Sequence, residues 1–272
     1  MLLFTPGPTP VPESVRQAMA APTLHHRTPE FEAIFKEARE RLMKLLGMDE
    51  CVIIASSGTG AMQASVLNLC KRKALTINAG KFGERFGKIA DAMGKEKVEL
   101  KYEWNTPSSV ADVEKALSEH ADIDAIFIQV CESAGGLRHP VEAIAKRAKE
   151  INPDIMIVAD GITAVGVEPI DVTHIDALIT GSQKALMLPP GLAMIGLSTA
   201  AVEKIGQGED YYFNLATEIK KQQQNTTAWT AATTLIIGLN AIFDAIDQEG
   251  IETLYANTVA MAAATQAALE AI

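Results

Sequence analysis

The chain has 272 residues, 48% of them apolar and 21% charged, with a formal net charge of −10. That length buries a real core in one large domain or two modest ones, and the acidic balance argues against a partner held through nucleic-acid phosphates. The longest apolar runs, such as residues 125–130, are too short to span a bilayer, and residues 1–12 lack the basic start and long apolar stretch of a signal peptide. In chain order, Pro6, Pro8, Pro10 and Pro12 come first. Proline at this density favours an extended arm. A helix is predicted over residues 29–46, where Phe31, Ile34, Phe35, Ala38, Leu42 and Leu45 recur near helical spacing. Glu32, Glu37 and Arg39 mark its expected wet side. Short β-branched runs follow at 52–55, 74–78, 98–102, 124–130, 155–159, 177–180 and 193–197. Helical patterns lie between most of them, at 61–70, 83–93, 110–119 and 141–151. This alternation predicts an α/β fold with a mostly parallel central sheet and helices on both faces. Ligands in such sheets gather at the carboxyl ends of the strands. After residue 197 the pattern changes to two long helices, 229–247 and 251–272, broken at Gln248-Glu249-Gly250. The last stretch is alanine-rich and stops without a cap or a glycine, as expected of a fragment or a chain that ends early.

Four strand ends carry unusual residues. Ser56-Ser57-Gly58-Thr59-Gly60 opens a helix after the first strand. Small residues, hydroxyls and unpaired N–H groups at a helix start suit a phosphate. No lysine follows the second glycine, so the segment is not a P-loop; alone, it also reads as a plain turn and helix cap. Asp160 follows the strand at 155–159. A carboxylate there needs a cation or donors, or is a satisfied turn residue. Lys184 stands between the strand at 177–180 and the apolar segment 185–188. Desolvation makes such a lysine a nucleophile or base, whereas an ordinary lysine snorkels to solvent. Cys131-Glu132-Ser133-Ala134-Gly135-Gly136 forms a polar loop after the fourth strand. Taken together, an anion cradle, a carboxylate and a lysine are the set required by pyridoxal 5′-phosphate (PLP): a site for its phosphate, a partner for its pyridine nitrogen, and an amine for its aldehyde. Cys51, Cys70 and Cys131 show no CxxC spacing. Free thiols in a reducing compartment are expected, hence a cytoplasmic protein.

The sequence resembles the class V aminotransferases, and within them the alanine–glyoxylate and serine–pyruvate group. The resemblance is carried by Thr5-Pro6-Gly7-Pro8-Thr9-Pro10-Val11-Pro12, His25-His26-Arg27-Thr28-Pro29-Glu30-Phe31 and Ser57-Gly58-Thr59-Gly60. It continues in Glu132-Ser133-Ala134-Gly135-Gly136, Ala159-Asp160-Gly161-Ile162 and Gly181-Ser182-Gln183-Lys184-Ala185-Leu186. These cover nearly the whole chain in the family's order. The resemblance implies a fold type I PLP-dependent transferase. It implies that Lys184 holds PLP as a Schiff base and shuttles the proton, and that Asp160 pairs with the pyridinium nitrogen. Ser57, Gly58, Thr59 and Gln183 would hold the phosphate. Phe82 would stack on the pyridine ring, though alone it reads as a core phenylalanine. Ser133 would lie near the ring's phenolic oxygen. Thr230 would reach the phosphate of a neighbouring subunit, which makes a homodimer the expected assembly. Gly7 and the proline-rich arm would line the substrate mouth. His25, His26 and Arg27 would sit near the site or the dimer interface; no metal role is expected of the histidines.

The implied reaction moves an amino group from a small amino acid of the alanine or serine type to a 2-oxo acid of the glyoxylate or pyruvate type. The implied organisation is an arm over 1–14, a large PLP-binding domain over 15–250, and over 251–272 the start of a small C-terminal domain that is otherwise missing. That domain carries the family's carboxylate-binding arginine, which no residue here matches. Ala134 and Gly135 stand where family members often have hydroxyls. The competing expectations are a truncated PLP-binding dimer without turnover, a lyase or desulfurase on the same fold, and a nucleotide-binding α/β domain. The early positions of all three cysteines disfavour a desulfurase, and Lys184 counts against the nucleotide domain.

Overall fold

Pro12 ends the proline run and directly precedes helix α1 (Glu13–Met19) in the computed structural model, which describes residue 3 and residues 5–271. Met1, Leu2 and Phe4 of the expected arm, and Ile272 of the expected last helix, lie outside the described residues. Helix α2 (Pro29–Leu46) has the predicted bounds. The Thr28 side chain accepts from the Phe31 N–H, Pro29 occupies the first turn, and Gly47 closes the helix at φ 65°. Proline needs no donor in the first turn, and glycine adopts the left-handed cap without a Cβ penalty. Phe31, Phe35, Ala38, Leu42 and Leu46 are buried. Arg39 corrects the expected wet side: it is 8% exposed and ion-paired with Glu50. A periodic pattern reports the helix face but not a long side chain that reaches across it to a partner on the sheet.

The remaining elements alternate as expected. They are β1 (Glu50–Ala55), α3 (Gly58–Leu69), β2 (Lys73–Asn78), α4 (Lys81–Ala92), β3 (Glu96–Lys101), α5 (Val110–Glu119) and β4 (Ala125–Gln129). A two-stranded hairpin of β5 (Cys131–Glu132) and β6 (Leu137–Arg138) follows, then α6 (Val141–Ile151), β7 (Met156–Asp160), β8 (Ala177–Gly181) and β9 (Leu192–Leu197). The end of the chain holds α7 (Thr199–Ile205), α8 (Leu215–Gln222), α9 (Thr233–Glu249) and α10 (Ile251–Glu270). The large sheet runs in the order β1-β9-β8-β7-β4-β2-β3. The ladders from β3 through to β8 are parallel, and β9 pairs antiparallel with both β8 and β1.

Strand residues alternate between two cores. Ile53, Ile126, Ile128, Ile157, Leu178 and Met194 face a core shared with α1, α2, α5, α6 and α9. Ile54, Phe127, Val158, Ile179 and Ile195 face the other, built with α3, α4, α7 and α8. Phe86 and Phe127 are fully buried on that side with ring centroids 5.1 Å apart. Each such ring contributes about 1.5–3 kcal/mol by leaving water. Strands β4, β7, β8 and β9 are buried along their whole length. A sheet covered on both faces leaves only its strand ends open to a ligand. The register sets Gln129 beside Asp160, and Asp160 beside Ile179, at one such edge. No helix of the described residues is long and apolar enough to cross a membrane. Helix α10 has no buried residue, and Val259, Met261 and Leu269 on it are exposed.

Candidate active site

The turn after β8 is closed by its own hydrogen bonds. The Ser182 hydroxyl donates to the Pro189 carbonyl (2.8 Å) and accepts from the Leu192 N–H (3.1 Å). Lys184 is thereby held at the strand end rather than on a free loop. The N-terminal arm locks it from the other side. The Thr9 N–H donates to the Gln183 carbonyl (3.1 Å), and the Thr9 hydroxyl donates to the Lys184 carbonyl (2.8 Å). A Cβ on Gly7 would fall 2.5 Å from Lys184 Cδ and 2.8 Å from Nζ. A Cβ there would push the flexible end of the lysine aside, so glycine leaves Nζ in its present place. Burial pushes the Lys184 amine below its ordinary value, the nearby Asp160 opposes this, and Arg85 adds to it.

Asp160 is the last residue of β7 and is 4% exposed. One carboxylate oxygen accepts from the Ile162 N–H at 3.0 Å. Burial pushes the carboxyl up to about 7, against that hydrogen bond; Glu132 raises it further, and Arg85 and Lys184 lower it. A buried carboxyl with so few donors is suited to a cation.

The chain leaves β1 into α3 through Ser57, whose extended backbone (φ −91°, ψ 168°) makes it the N-cap while its hydroxyl makes no capping bond. A Cβ on Gly58 would lie 2.5 Å from Ile162 Cδ1, and one on Gly60 would lie 2.1 Å from Ser56 Oγ. A side chain at either position would displace the Ile162 or Ser56 side chain, so the two glycines keep the turn in this form. Gln183 brings a buried Oε1 with no partner among the described residues. Thr59 Oγ1 accepts from Arg85 Nη1 at 2.9 Å.

Helix α4 presents Phe82 to the same space. Glu132, fully buried, accepts from the Phe82 and Gly83 N–H groups (both 2.9 Å) through Oε2 and from the Ala134 N–H (3.1 Å) through Oε1. A Cβ on Gly80 would lie 2.6 Å from Glu132 Cγ. One carboxylate thus anchors both the helix start and the polar loop.

Of the residues singled out in the sequence, Lys184, Asp160, Phe82 and Ser133 line one small cavity. Cys131, Ile162 and Thr163 complete its wall. Burial raises the Cys131 thiol above its ordinary value, so it is a poor nucleophile there. Thr230 does not join this cavity; it lines a separate cleft with Ala55, Tyr212 and Trp229. The His25 and His26 rings lie tilted by 34° with centroids 4.9 Å apart. Arg27 donates to the Thr226 hydroxyl and the Thr227 carbonyl. A larger cleft of about 420 Å³ is lined by Arg41, Gly166, Phe243 and Tyr255 among others, and contains none of the site residues. Size alone picks the wrong hollow here, because the chemistry sits at the strand ends. Sequence reasoning missed Arg85 and gave Glu132 no role. The signal for Arg85 was its place three residues after Phe82, on the same face of one helix.

The Aminotransferase class-V family matches residues 1–272. An uncharacterized aminotransferase of Helicobacter pylori (strain ATCC 700392 / 26695) is 50% identical over 274 residues, covering 100% of this chain and 74% of that protein. A serine–glyoxylate aminotransferase of Hyphomicrobium methylovorum is 30% identical, covering 99% of this chain and 69% of that protein. Among solved structures, a Thermus thermophilus aspartate aminotransferase of subgroup IV superposes with a TM-score of 0.87 at 33% identity, covering 94% of this chain and 73% of that one. The chain belongs to the class V aminotransferases, PLP-dependent transaminases of fold type I.

Proposed function

We propose that Lys184 carries the cofactor through Nζ and that the protein transfers an amino group from a small amino acid to a small 2-oxo acid. The observation that carries this is the half-buried Lys184 beside the buried Asp160 in one cavity. The residues fit PLP on their own terms: an under-donated buried carboxyl, a Ser57 hydroxyl that makes no capping bond, and a helix start whose Gly58 and Gly60 bring no side chain into the turn. When bound, PLP supplies a protonated pyridine ring that draws electrons from the substrate Cα.

In this proposal Asp160 keeps the pyridine nitrogen protonated; a carboxylate in a dry site is strengthened as a partner for positive charge. Ser57, Gly58 and Thr59 hold the phosphate with hydroxyls and the α3 N-terminus, joined by Gln183. Phe82 stacks on the ring, and Ser133 donates toward its phenolic oxygen. Lys184 Nζ accepts the proton from the substrate Cα and returns it. Desolvation, which lowers its affinity for a proton, puts that amine nearer the working pH. Gly7 forms the substrate mouth, and its contact with Lys184 favours small substrates. Thr230 serves the phosphate of a second copy, which makes the working form a homodimer. Three free thiols suit the reducing cytoplasm.

The serine–glyoxylate relative supports serine as donor and glyoxylate as acceptor, and alanine and pyruvate are the proposed alternatives of the same small size. A second donor, aspartate, is favoured by the Thermus aspartate aminotransferase. The test is borohydride reduction of the PLP-loaded protein followed by peptide mass analysis. The label is expected on Lys184 and absent from Lys184→Ala; a label on another lysine overturns the assignment. Adding alanine, serine or aspartate in turn should bleach the visible band with the true donor. No spectral change with any of them would reject the substrate assignment.

A further inference from the structure

The phosphate site described above has no cation of its own. Ser57, Gly58, Thr59 and Gln183 are all neutral, yet a phosphate monoester carries about −1.5 to −2 at neutral pH. A helix N-terminus contributes only about half a positive charge. Lys184 is the amine for the aldehyde and is not available to the other end of the cofactor.

Arg85 supplies what is missing. It lies one turn after Phe82 on α4, and its guanidinium carbon is 4.7 Å from the centre of the Phe82 ring. Its Nη1 donates to Thr59 Oγ1 at 2.9 Å, in the first turn of α3. Its neighbour Glu84 is engaged with Lys81 and Lys88 instead. Among the described residues no carboxylate lies within 4.0 Å of Arg85. A half-buried guanidinium without a counter-ion, aimed at a helix start, is arranged for an anion. Both Asp160 and Lys184 feel its charge, which places it within electrostatic reach of the whole cavity.

We propose that Arg85 is the cationic residue of the phosphate site, binding the cofactor phosphate together with Thr59 while packing on Phe82. The inference rests on the cofactor site proposed above. Thr59 then has two tasks: it orients the guanidinium and adds its own hydroxyl. The planar fork suits two phosphate oxygens at once, which an ammonium cannot match. A substrate carboxylate is the competing anion. The bond to Thr59, at the start of α3, favours the phosphate.

The test compares wild type, Arg85→Gln and Arg85→Lys, each titrated with PLP and with pyridoxal, which lacks the phosphate. Arg85→Gln is expected to weaken PLP binding by about tenfold or more, to leave pyridoxal binding unchanged, and to be partly rescued in Arg85→Lys. In parallel, the ³¹P signal of bound PLP should stay that of the dianion across mildly acidic pH in wild type. In the glutamine variant it should titrate. Equal losses for PLP and pyridoxal would mean that Arg85 acts only by propping Phe82, and would overturn the proposal. Unchanged PLP affinity with a raised KM for the 2-oxo acid would also overturn it, in favour of the substrate carboxylate. If Arg85→Gln does not fold, the lysine variant and the wild-type ³¹P titration decide alone: a wild-type phosphate that titrates freely rejects the proposal. Failure of the wild type to bind PLP at all would instead reject the cofactor site itself.

Discussion

In the cavity Asp160 has a single backbone donor, and burial pushes its carboxyl up to about 7 from an ordinary 3.8. Between those two values the folded protein holds a proton that the unfolded chain has already released. The stability linked to this group is therefore complete below about pH 4, falls as pH rises, and is fully lost above about pH 7. A tenfold difference in proton affinity between folded and unfolded chain is worth about 1.4 kcal/mol, so the loss is a few kcal/mol at most. Asp160→Asn removes the titration. The cofactor-free variant should melt above the cofactor-free wild type at pH 8 and with it at pH 4. Thermal melts at the two pH values check this; a variant less stable at pH 8 contradicts it. PLP should stabilise the wild type more at pH 8 than at pH 5, because its pyridinium offsets the same charge. Asp160 and Lys184 were legible as residues because each stood at a strand end. The place of Arg85 one turn after Phe82 was legible but its role was not, since its contact with Thr59 joins two helices across 26 positions of sequence.

At the scale of elements, local rules worked where the element is self-contained. Helices α2, α5 and α6 begin and end as their patterns predict; in α2 and α5 this is because Thr28, Pro29, Gly47 and Ser109 act on their own helices, while α6 follows Pro140 with no side-chain cap. The rules failed where distant groups compete for the backbone. A helix was expected from residue 229, but α9 starts at Thr233. Arg27 takes the Thr227 carbonyl and the Thr227 hydroxyl takes the Trp229 carbonyl, so neither serves a helical turn. Helices α1, α7 and α8 were missed. They are short, and α8 owes its place to Gln222, whose side chain pairs with both backbone groups of Ile53 on β1. The Glu132 anchor is the same kind of long-range bond, reaching fifty residues back to the start of α4. Glu132→Gln keeps the shape but sets an amide N–H against backbone donors. It should lower unfolding free energy by about 1–3 kcal/mol in urea denaturation. It should also weaken PLP binding through a loosened Phe82. Unchanged stability would remove Glu132 as the anchor.

For the whole molecule, the cavity and Thr230 lie apart within one chain. The exposed rings of Tyr211 (76%) and Trp104 (56%) add apolar surface that a second copy would bury in the proposed dimer. Light scattering on the eluted protein should give twice 29.1 kDa. A mixing experiment tests the shared site directly. Lys184→Ala and Thr230→Ala are each impaired alone, but co-refolded together they should regain activity. In a mixed dimer one of the two sites carries both native residues. No recovery on mixing would reject a site shared between subunits.

The antiparallel pairing of β1 with β9 has a consequence for synthesis. Strand β1 is the edge of the sheet, and β9 is its one neighbour there. It leaves the ribosome more than a hundred residues before that neighbour exists. At about 5–20 residues per second, a fully apolar stretch, Cys51-Val52-Ile53-Ile54, stays without a strand partner for on the order of ten seconds. The nascent chain is most in need of a chaperone in that interval, and codon changes between residues 56 and 191 that lengthen it should lower soluble yield without altering a single amino acid.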